Sequence, residues 1–517
     1  MKYRMGIDVG GTNTDAVILT PDNRVIAKVK NPVTRDIMTS IRVAARQVLE
    51  ASRLQPDAIS HAMLGTTQVT NAIIERQRLN RVGLIRIGAP ATLAVPPLTG
   101  WPIRLKEVVE HGQLMVQGGH EFDGRPMAPL NRDEIRRFLD QHARQISAVA
   151  VTAVFSPVNA EHELSVRELI EAEYPHLAVS LSHEIGSVGL LERENATVLN
   201  AAVTEVAQIA ARAFQDALRE VGIQADLYFA QNDGTLMAMD YALRYPILTV
   251  ACGPTNSMRG AAFLARMDDA VIIDVGGTSS DIGMIRGGFP RQSALAVDVG
   301  GVRTNFRMPD LIALGLGGGS RVRIHDGQVT VGPDSVGYRI VEDAEVFGGR
   351  VTTFTDVAVA LGYAQIGDRP PKIATAVAER AYAQAIQTIE EGIDRIKTSA
   401  DPIPLIAVGG GSALLPERLA GVSTVIRPDH FDVANAIGAA IAQVSGRIDR
   451  IYPMSGRTRD TVLQEALASA KAEAVRAGAD PDTLEVVEVE EIPLAYLPSN
   501  ASRVRVTVAG QLAGAAL

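Results

Sequence analysis

Two stretches of this chain repeat one another, and the repeat restricts the fold more than any other feature. Gly6-Ile7-Asp8-Val9-Gly10-Gly11-Thr12-Asn13-Thr14-Asp15 returns much later as Ile272-Ile273-Asp274-Val275-Gly276-Gly277-Thr278-Ser279-Ser280-Asp281. Each copy is a β-branched run, an Asp, two glycines, hydroxyl or amide residues and a second Asp, followed by an apolar strand at residues 16–19 and 282–285. The pattern predicts a hairpin whose turn sits against something anionic. Glycines let backbone N–H groups converge on a concavity, and the hydroxyls add donors. An Asp closing a buried strand is well placed for a hydrated Mg2+. An ordinary hairpin needs glycines for its turn alone. Two copies at the starts of two similar halves, each with its hydroxyls and second Asp, point instead to a nucleotide's phosphates clamped between two hairpins.

A chain of 517 residues, 46% hydrophobic and 21% charged, has ample core for two or more domains. A formal net charge of −9 argues against nucleic acid as a partner. No apolar run is long enough to predict a membrane-spanning helix, and the chain enters a strand without a signal-like segment, so a cytoplasmic protein is expected. The single cysteine, Cys252, excludes an internal disulfide framework and a cysteine-rich zinc site, and reads as packing.

Further along, residues 63–76 read as a strand end, a Gly65-Thr66-Thr67 turn and a helix start carrying Asn71. Such a turn suits an anion at the helix N-terminus, or a plain cap by Thr66 or Thr67. Helices are predicted over 37–52, 130–146 and 197–220, and a buried strand over 148–154. Polar clusters follow strand ends at 156–163, 181–184 and 191–197, where ligands sit in open α/β sheets. His162, Glu163, His183 and Glu184 could supply metal ligands, though such residues are more often caps or members of surface salt bridges. Trp101 reads as packing. Residues 253–265 and 432–442 are two helices of small residues, built for close crossing. Leu316-Gly317-Gly318-Gly319-Ser320 is a glycine-rich turn. Gly409-Gly410-Gly411, after an apolar strand, would let backbone lie flat against an adenosine. Beyond residue 447 a helix and two strands carry no chemical motif.

Phosphate hairpin, small-residue helix, phosphate hairpin, triple-glycine turn and small-residue helix follow in an order that resembles the actin, sugar-kinase and Hsp70 ATPase superfamily. The motifs from residue 5 to about 445 resemble more narrowly the hydantoinase A/5-oxoprolinase family. Gly65-Thr66-Thr67, residues 156–163, Leu181-Ser182-His183-Glu184, Glu192-Arg193 with Asn200, Gly253-Pro254 and Gly332-Pro333-Asp334-Ser335 carry it beside the hairpins. The chain departs from that family's pattern at Leu64, at Cys252 with Thr255-Asn256-Ser257, and at residues 336–341.

The resemblance implies an α/β fold of two ribonuclease-H-like lobes with ATP in the cleft between them, plus a small C-terminal α/β extension. Lobe I would span 1–265 with an inserted α/β region, lobe II 266–432, a returning hinge helix 433–446 and the extension 447–517. It implies ATP with Mg2+ (or Mn2+), and an amidohydrolase opening a hydantoin, oxoproline or other lactam by carbonyl phosphorylation. A small-molecule kinase, an ATP-dependent carboxylase subunit and an Hsp70-like ATPase switch are the alternatives. A B-type hydantoinase subunit on a separate chain, and a homo- or hetero-oligomer, are the expected partners. Asp8 and Asp274 would hold the metal, with Asp15 and Asp281 as second choices. Gly10, Gly11, Thr12, Asn13, Gly276, Gly277, Thr278, Ser279, Gly317 and Gly318 would cradle phosphates, and Gly409, Gly410 and Gly411 the adenosine. Thr66, Thr67 and Asn71 would face substrate, with His183, Glu184 and Glu192 as candidate bases.

Overall fold

Both repeated stretches form hairpins of the same register. In the computed structural model, Tyr3–Val9 pairs antiparallel with Asn13–Leu19, setting Asp8 opposite Asp15. Ala270–Val275 pairs with Ser280–Arg286, setting Asp274 opposite Asp281. The turns close alike, Gly10 N–H donating to the Asn13 carbonyl at 3.0 Å and Gly276 N–H to that of Ser279 at 2.9 Å. The structure describes residues 2–34, 36–186, 189–293, 297–305, 308–326, 328–494 and 501–513.

Each hairpin gains a parallel neighbour on its first strand, Ile59–Thr66 in the first half and Ile403–Val408 in the second. The first half's sheet has nine strands. From one edge they are Glu485–Pro493, Ser502–Gly510, Val444–Tyr452, Leu236–Ala238, Asp226–Ala230, Ile59–Thr66, Tyr3–Val9, Asn13–Leu19 and Val25–Pro32. The second half's sheet runs Phe289–Pro290, Ser280–Arg286, Ala270–Val275, Ile403–Val408 and Val422–Ile426, with Leu311–Leu314 also on Ser280–Arg286. A separate parallel sheet of Glu110–Gln117, Val82–Ala89, Ala148–Ala153 and Ala178–Leu181 is inserted in the first half. Its central strands are buried throughout, as strands covered on both faces must be.

The helix Ile37–Ser52 forms as its periodicity predicts. Asp36 caps it, and Ile41, Ala44, Ala45 and Val48 are buried in the first half's core. The single helix expected over 197–220 is instead two, Leu190–Ala202 and Thr204–Val221, parted at Val203. Thr204 Oγ1 donates to the Ala201 carbonyl at 3.2 Å and receives Asn80 Nδ2 at 2.6 Å, an alternative to the helical ladder.

The last strands continue the first sheet rather than standing apart. Val444 pairs in parallel with Leu236, and the helix Arg459–Arg476 covers that edge through Val462, Ala466, Ala470 and Ala474. Between the halves the small-residue helices Cys252–Ala265 and Ala434–Ile441 cross. A Cβ on Gly260 would lie 1.9 Å from the Ala434 carbonyl oxygen, and one on Gly438 1.8 Å from that of Asn256. Only glycine permits that approach.

Candidate active site

The two hairpin turns face each other across a cleft of about 610 Å3. Their tips nearly touch, since a Cβ on Gly277 would stand 3.5 Å from Thr12 Cγ2. Asp8, Gly10, Gly11, Thr12 and Asn13 line one wall, and Asp274, Gly276, Gly277, Thr278 and Ser279 the other. Behind each Asp a glycine of the parallel neighbour strand presses its backbone on the carboxylate. A Cβ at Gly65 would come within 2.2 Å of Asp8 Oδ1, and one at Gly409 within 2.2 Å of Asp274 Oδ1.

This pairing accounts for part of the triple glycine. All three glycines line the cleft, but Gly409 and Gly411 are also packed on Asp274, Val275 and Gly276, whereas a Cβ on Gly410 would meet nothing nearer than Lys30 Cε at 4.0 Å. The turn carrying Gly317 and Gly318 buttresses the second hairpin. The N–H of Gly318 donates to the Gly276 carbonyl at 3.0 Å and that of Gly319 to the Gly277 carbonyl at 2.7 Å. Gly318 lines the cleft, while Gly317 is closed against Gly276 and Gly277. Thr67 lines the cleft too, and Asn71 Nδ2 donates to its hydroxyl at 3.3 Å. Thr66 is buried, its hydroxyl accepting Gln68 N–H at 3.3 Å in a local turn, while Thr67 is the N-cap of the helix and makes no side-chain cap bond.

Four residues that sequence reasoning missed complete the cleft. Lys30 Nζ lies 2.9 Å from Asp15 and 2.9 Å from the Asp432 carbonyl, so the first hairpin's second Asp has a counter-cation. Among the described residues Asp281 has no such partner. Asn435 Nδ2 donates to Asp8 Oδ2 at 2.9 Å, and Ser257 Oγ donates to Asp274 Oδ2. Asn256 is fully buried with neither amide atom hydrogen-bonded, its Nδ2 beside Gly65 and Asp8. The available signal was polarity on a small-residue helix, at Asn256, Ser257 and Asn435.

Burial, then the charge of Asp15, pushes the Asp8 carboxyl up to about 7, and burial raises Asp274. Asp8 Oδ1 is buried without a hydrogen-bond partner. The unpartnered oxygen, together with a second carboxylate, Asp274, on the same cleft, fits a hard cation such as Mg2+, which is bound by one or two carboxylates with water and phosphate oxygens. Among the described residues no group of three or more His, Cys, Asp or Glu side chains could hold a metal. Cys252 is buried, its Sγ 3.4 Å from the Thr66 carbonyl, and burial pushes its thiol up to about 12, which suits packing. Trp101 is also packing, tied by Nε1 to Asn195 at 2.7 Å.

The candidate bases lie elsewhere. His183 and Glu184 border a separate cavity, with Glu184 held by Arg167 at 3.1 Å and Arg244 at 2.6 Å. Glu192 stands 3.7 Å from Arg303. Glu163 is fully buried and spends its oxygens on the Ala153 N–H, Ser182 and His183, leaving none for a metal.

The chain belongs to the hydantoinase/oxoprolinase family, whose N-terminal region matches residues 4–174 and whose hydantoinase/oxoprolinase region matches residues 193–370. Caprolactamase subunit alpha of Pseudomonas jessenii is 27% identical over 89% of this chain and 73% of its own length. The acetophenone carboxylase gamma subunit of Aromatoleum aromaticum is 27% identical over 76% of this chain and 58% of its own. The crystal structure of the ATP-dependent caprolactamase from Pseudomonas jessenii superposes with a TM-score of 0.80 at 23% identity, covering 100% of this chain and 88% of that one. The mixed α/β fold is therefore shared.

Proposed function

We propose that the chain opens a cyclic amide or imide ring, using ATP in the cleft between the hairpins to phosphorylate the ring carbonyl oxygen. One observation carries this reading. Two hairpins of equal register each deliver a buried carboxylate and a glycine cradle to one cleft, with Asp8 Oδ1 left unpartnered. The family and the caprolactamase relative favour a lactam-like ring.

In this reading the backbone N–H groups of Gly10, Gly11, Gly276 and Gly277, with the hydroxyls of Thr12, Thr278 and Ser279, hold the phosphates. Asp8 and Asp274 hold Mg2+, which supplies charge neutralisation at the phosphoryl oxygens. Asn435 and Ser257 orient those carboxylates, and Lys30 balances Asp15. The carbonyl oxygen attacks the terminal phosphorus, the bond to the ADP oxygen breaks, and the amide N–H proton is lost as the imidate forms. Water then adds to the imidate carbon, and C–N cleavage frees the amine, which takes up a proton, and leaves an acyl phosphate. A second water at the acyl carbon releases inorganic phosphate carrying the former carbonyl oxygen. The protein's share is positioning and electrostatics.

The test uses a cyclic amide labelled with 18O in its carbonyl, incubated with the chain, ATP and Mg2+, with and without a B-type subunit. Label in inorganic phosphate supports the reading, and label kept wholly in the carboxylate product overturns it. The carboxylase relative favours a second reading, in which a ketone or bicarbonate accepts the phosphoryl group. ATP turnover that requires bicarbonate would select it.

A further inference from the structure

Behind the crossing helix Cys252–Ala265, on the side away from the cleft, lies a cavity of about 210 Å3. Thr255 marks the separation. It belongs to the helix whose Gly253, Pro254 and Ser257 line the cleft, and its hydroxyl lies 3.3 Å from the carbonyl of Gln231, which lines the cavity. The cavity wall comes from the inserted region, the turn after Asp226–Ala230 and the C-terminal strands. It adjoins a wider space of about 1040 Å3 beside the strand Glu485–Pro493, with Asp233, Arg447, Arg505 and Thr507 common to both, which gives it an entrance.

Most of its charges are already matched. Asp449 is held by Arg503 at 2.7 Å and Arg505 at 3.0 Å, and Asp233 by Arg447 at 3.3 Å and Ser445 at 3.3 Å. Among the described residues three groups on the wall make no hydrogen bond or ion pair: the Arg450 guanidinium, the Tyr245 hydroxyl and His183 Nε2. The last is set up by a buried pair. Glu163 Oε2 lies 2.6 Å from His183 Nδ1 and also takes the His183 backbone N–H at 3.0 Å, while Oε1 takes the Ala153 N–H at 2.7 Å and Ser182 at 2.5 Å. An acceptor-only carboxylate there fixes an imidazole proton on Nδ1, so a neutral His183 presents its Nε2 lone pair to the cavity.

We propose that this cavity is a second small-molecule site, taking an amino acid whose carboxylate meets Arg450 and Tyr245 and whose amine donates to His183 Nε2. A guanidinium and a phenol are donors suited to a carboxylate, and Nε2 offers a lone pair that no described residue uses. The volume is below the roughly 300–1,000 Å3 of drug-sized sites, which suits a molecule of amino-acid size. Opening a lactam ring yields such a molecule, so the site matches the product class of the cleft reading without depending on it.

Isothermal titration of the full chain without nucleotide tests the site. The probes are 4-aminobutyrate and 5-aminopentanoate, with pentanoate and pentylamine as single-headed controls. At least one amino acid is expected to bind one to one, at least about tenfold tighter than either control. Arg450→Ala should weaken it about tenfold, Arg450→Lys less, and His183→Gln about threefold, with melting temperatures unchanged. In 15N-histidine spectra the probe should shift the His183 Nε2 signal. No heat from any probe at about 10 mM, equal binding of a control, or an unshifted His183 signal would overturn the proposal. So would full affinity in a folded Arg450→Ala. Because nucleotide is absent, each outcome is independent of the 18O result.

Discussion

Asn435 donates to Asp8 Oδ2 at 2.9 Å across 427 residues of sequence, and Ser257 makes the corresponding bond to Asp274 from the other crossing helix. Each half's carboxylate is thus held by one of the two helices that meet at Gly260 and Gly438. A hydrogen bond to a charged group is worth about 1.5–3 kcal/mol. Asn435→Ala and Ser257→Ala should each lower kcat/KM for MgATP about ten- to a hundredfold, measured as phosphate release. Wild-type rates in both would separate the helices from the carboxylates' function.

The helix crossing itself is steric. Gly260→Ala or Gly438→Ala forces a methyl onto a backbone carbonyl, an overpacking that costs about 1–3 kcal/mol or more. Gly410→Ala adds a methyl where nothing stands nearer than 4.0 Å and should stay within about 0.5 kcal/mol of wild type. Urea unfolding of the three variants reads the contrast. Equal midpoints would refute it.

Asp281 supplies a pH test. Burial, then the charge of Asp274, pushes its carboxyl up to about 7, against about 3.9 when unfolded. The folded state therefore holds a proton that the unfolded state loses first. The associated stability is full below about pH 4 and is lost as pH rises through about 7. In EDTA and without nucleotide, Asp281→Asn should melt progressively higher than wild type between about pH 5 and about pH 8. A constant difference across that window would show that Asp281 does not titrate there.

Arg86 and Glu194 tie the inserted sheet to the helix Leu190–Ala202. Both are buried, with Nε and a terminal nitrogen of Arg86 2.6 and 2.5 Å from the two carboxylate oxygens. Glu194→Ala strands a buried guanidinium and should cost about 3–5 kcal/mol, seen as a lower urea midpoint. A shift below about 0.5 kcal/mol would mean that water reaches the guanidinium.

The hairpins were legible because their pattern is local and occurs twice. Asp8 and Asp274, with the glycines beside them, could be placed before any coordinates. Lys30, Ser257 and Asn435 could not, since their partners are set by strand pairing and helix crossing between distant segments. Gly409 and Gly411 were read as a bed for a ligand; they line the cleft and also press on Val275 and Asp274, which the sequence did not announce. A glycine signals close approach without naming what approaches. The strands near the C-terminus were visible by composition, but no local signal says that Val444 lies beside Leu236. For the same reason Arg450, in a stretch without motifs, meets the same cavity as His183 only in three dimensions.

That shared sheet has a consequence for biosynthesis. Among the described residues, the strands from Ala270–Val275 to Val422–Ile426 pair only with one another, so the second half can close while the ribosome is still at work. The nine-stranded sheet cannot, because Val444–Tyr452 and its neighbours up to Gly510 must emerge before Leu236 gains its outer partner. The half that begins first is completed last, and until then its open edge is the part of the nascent chain that most needs protection.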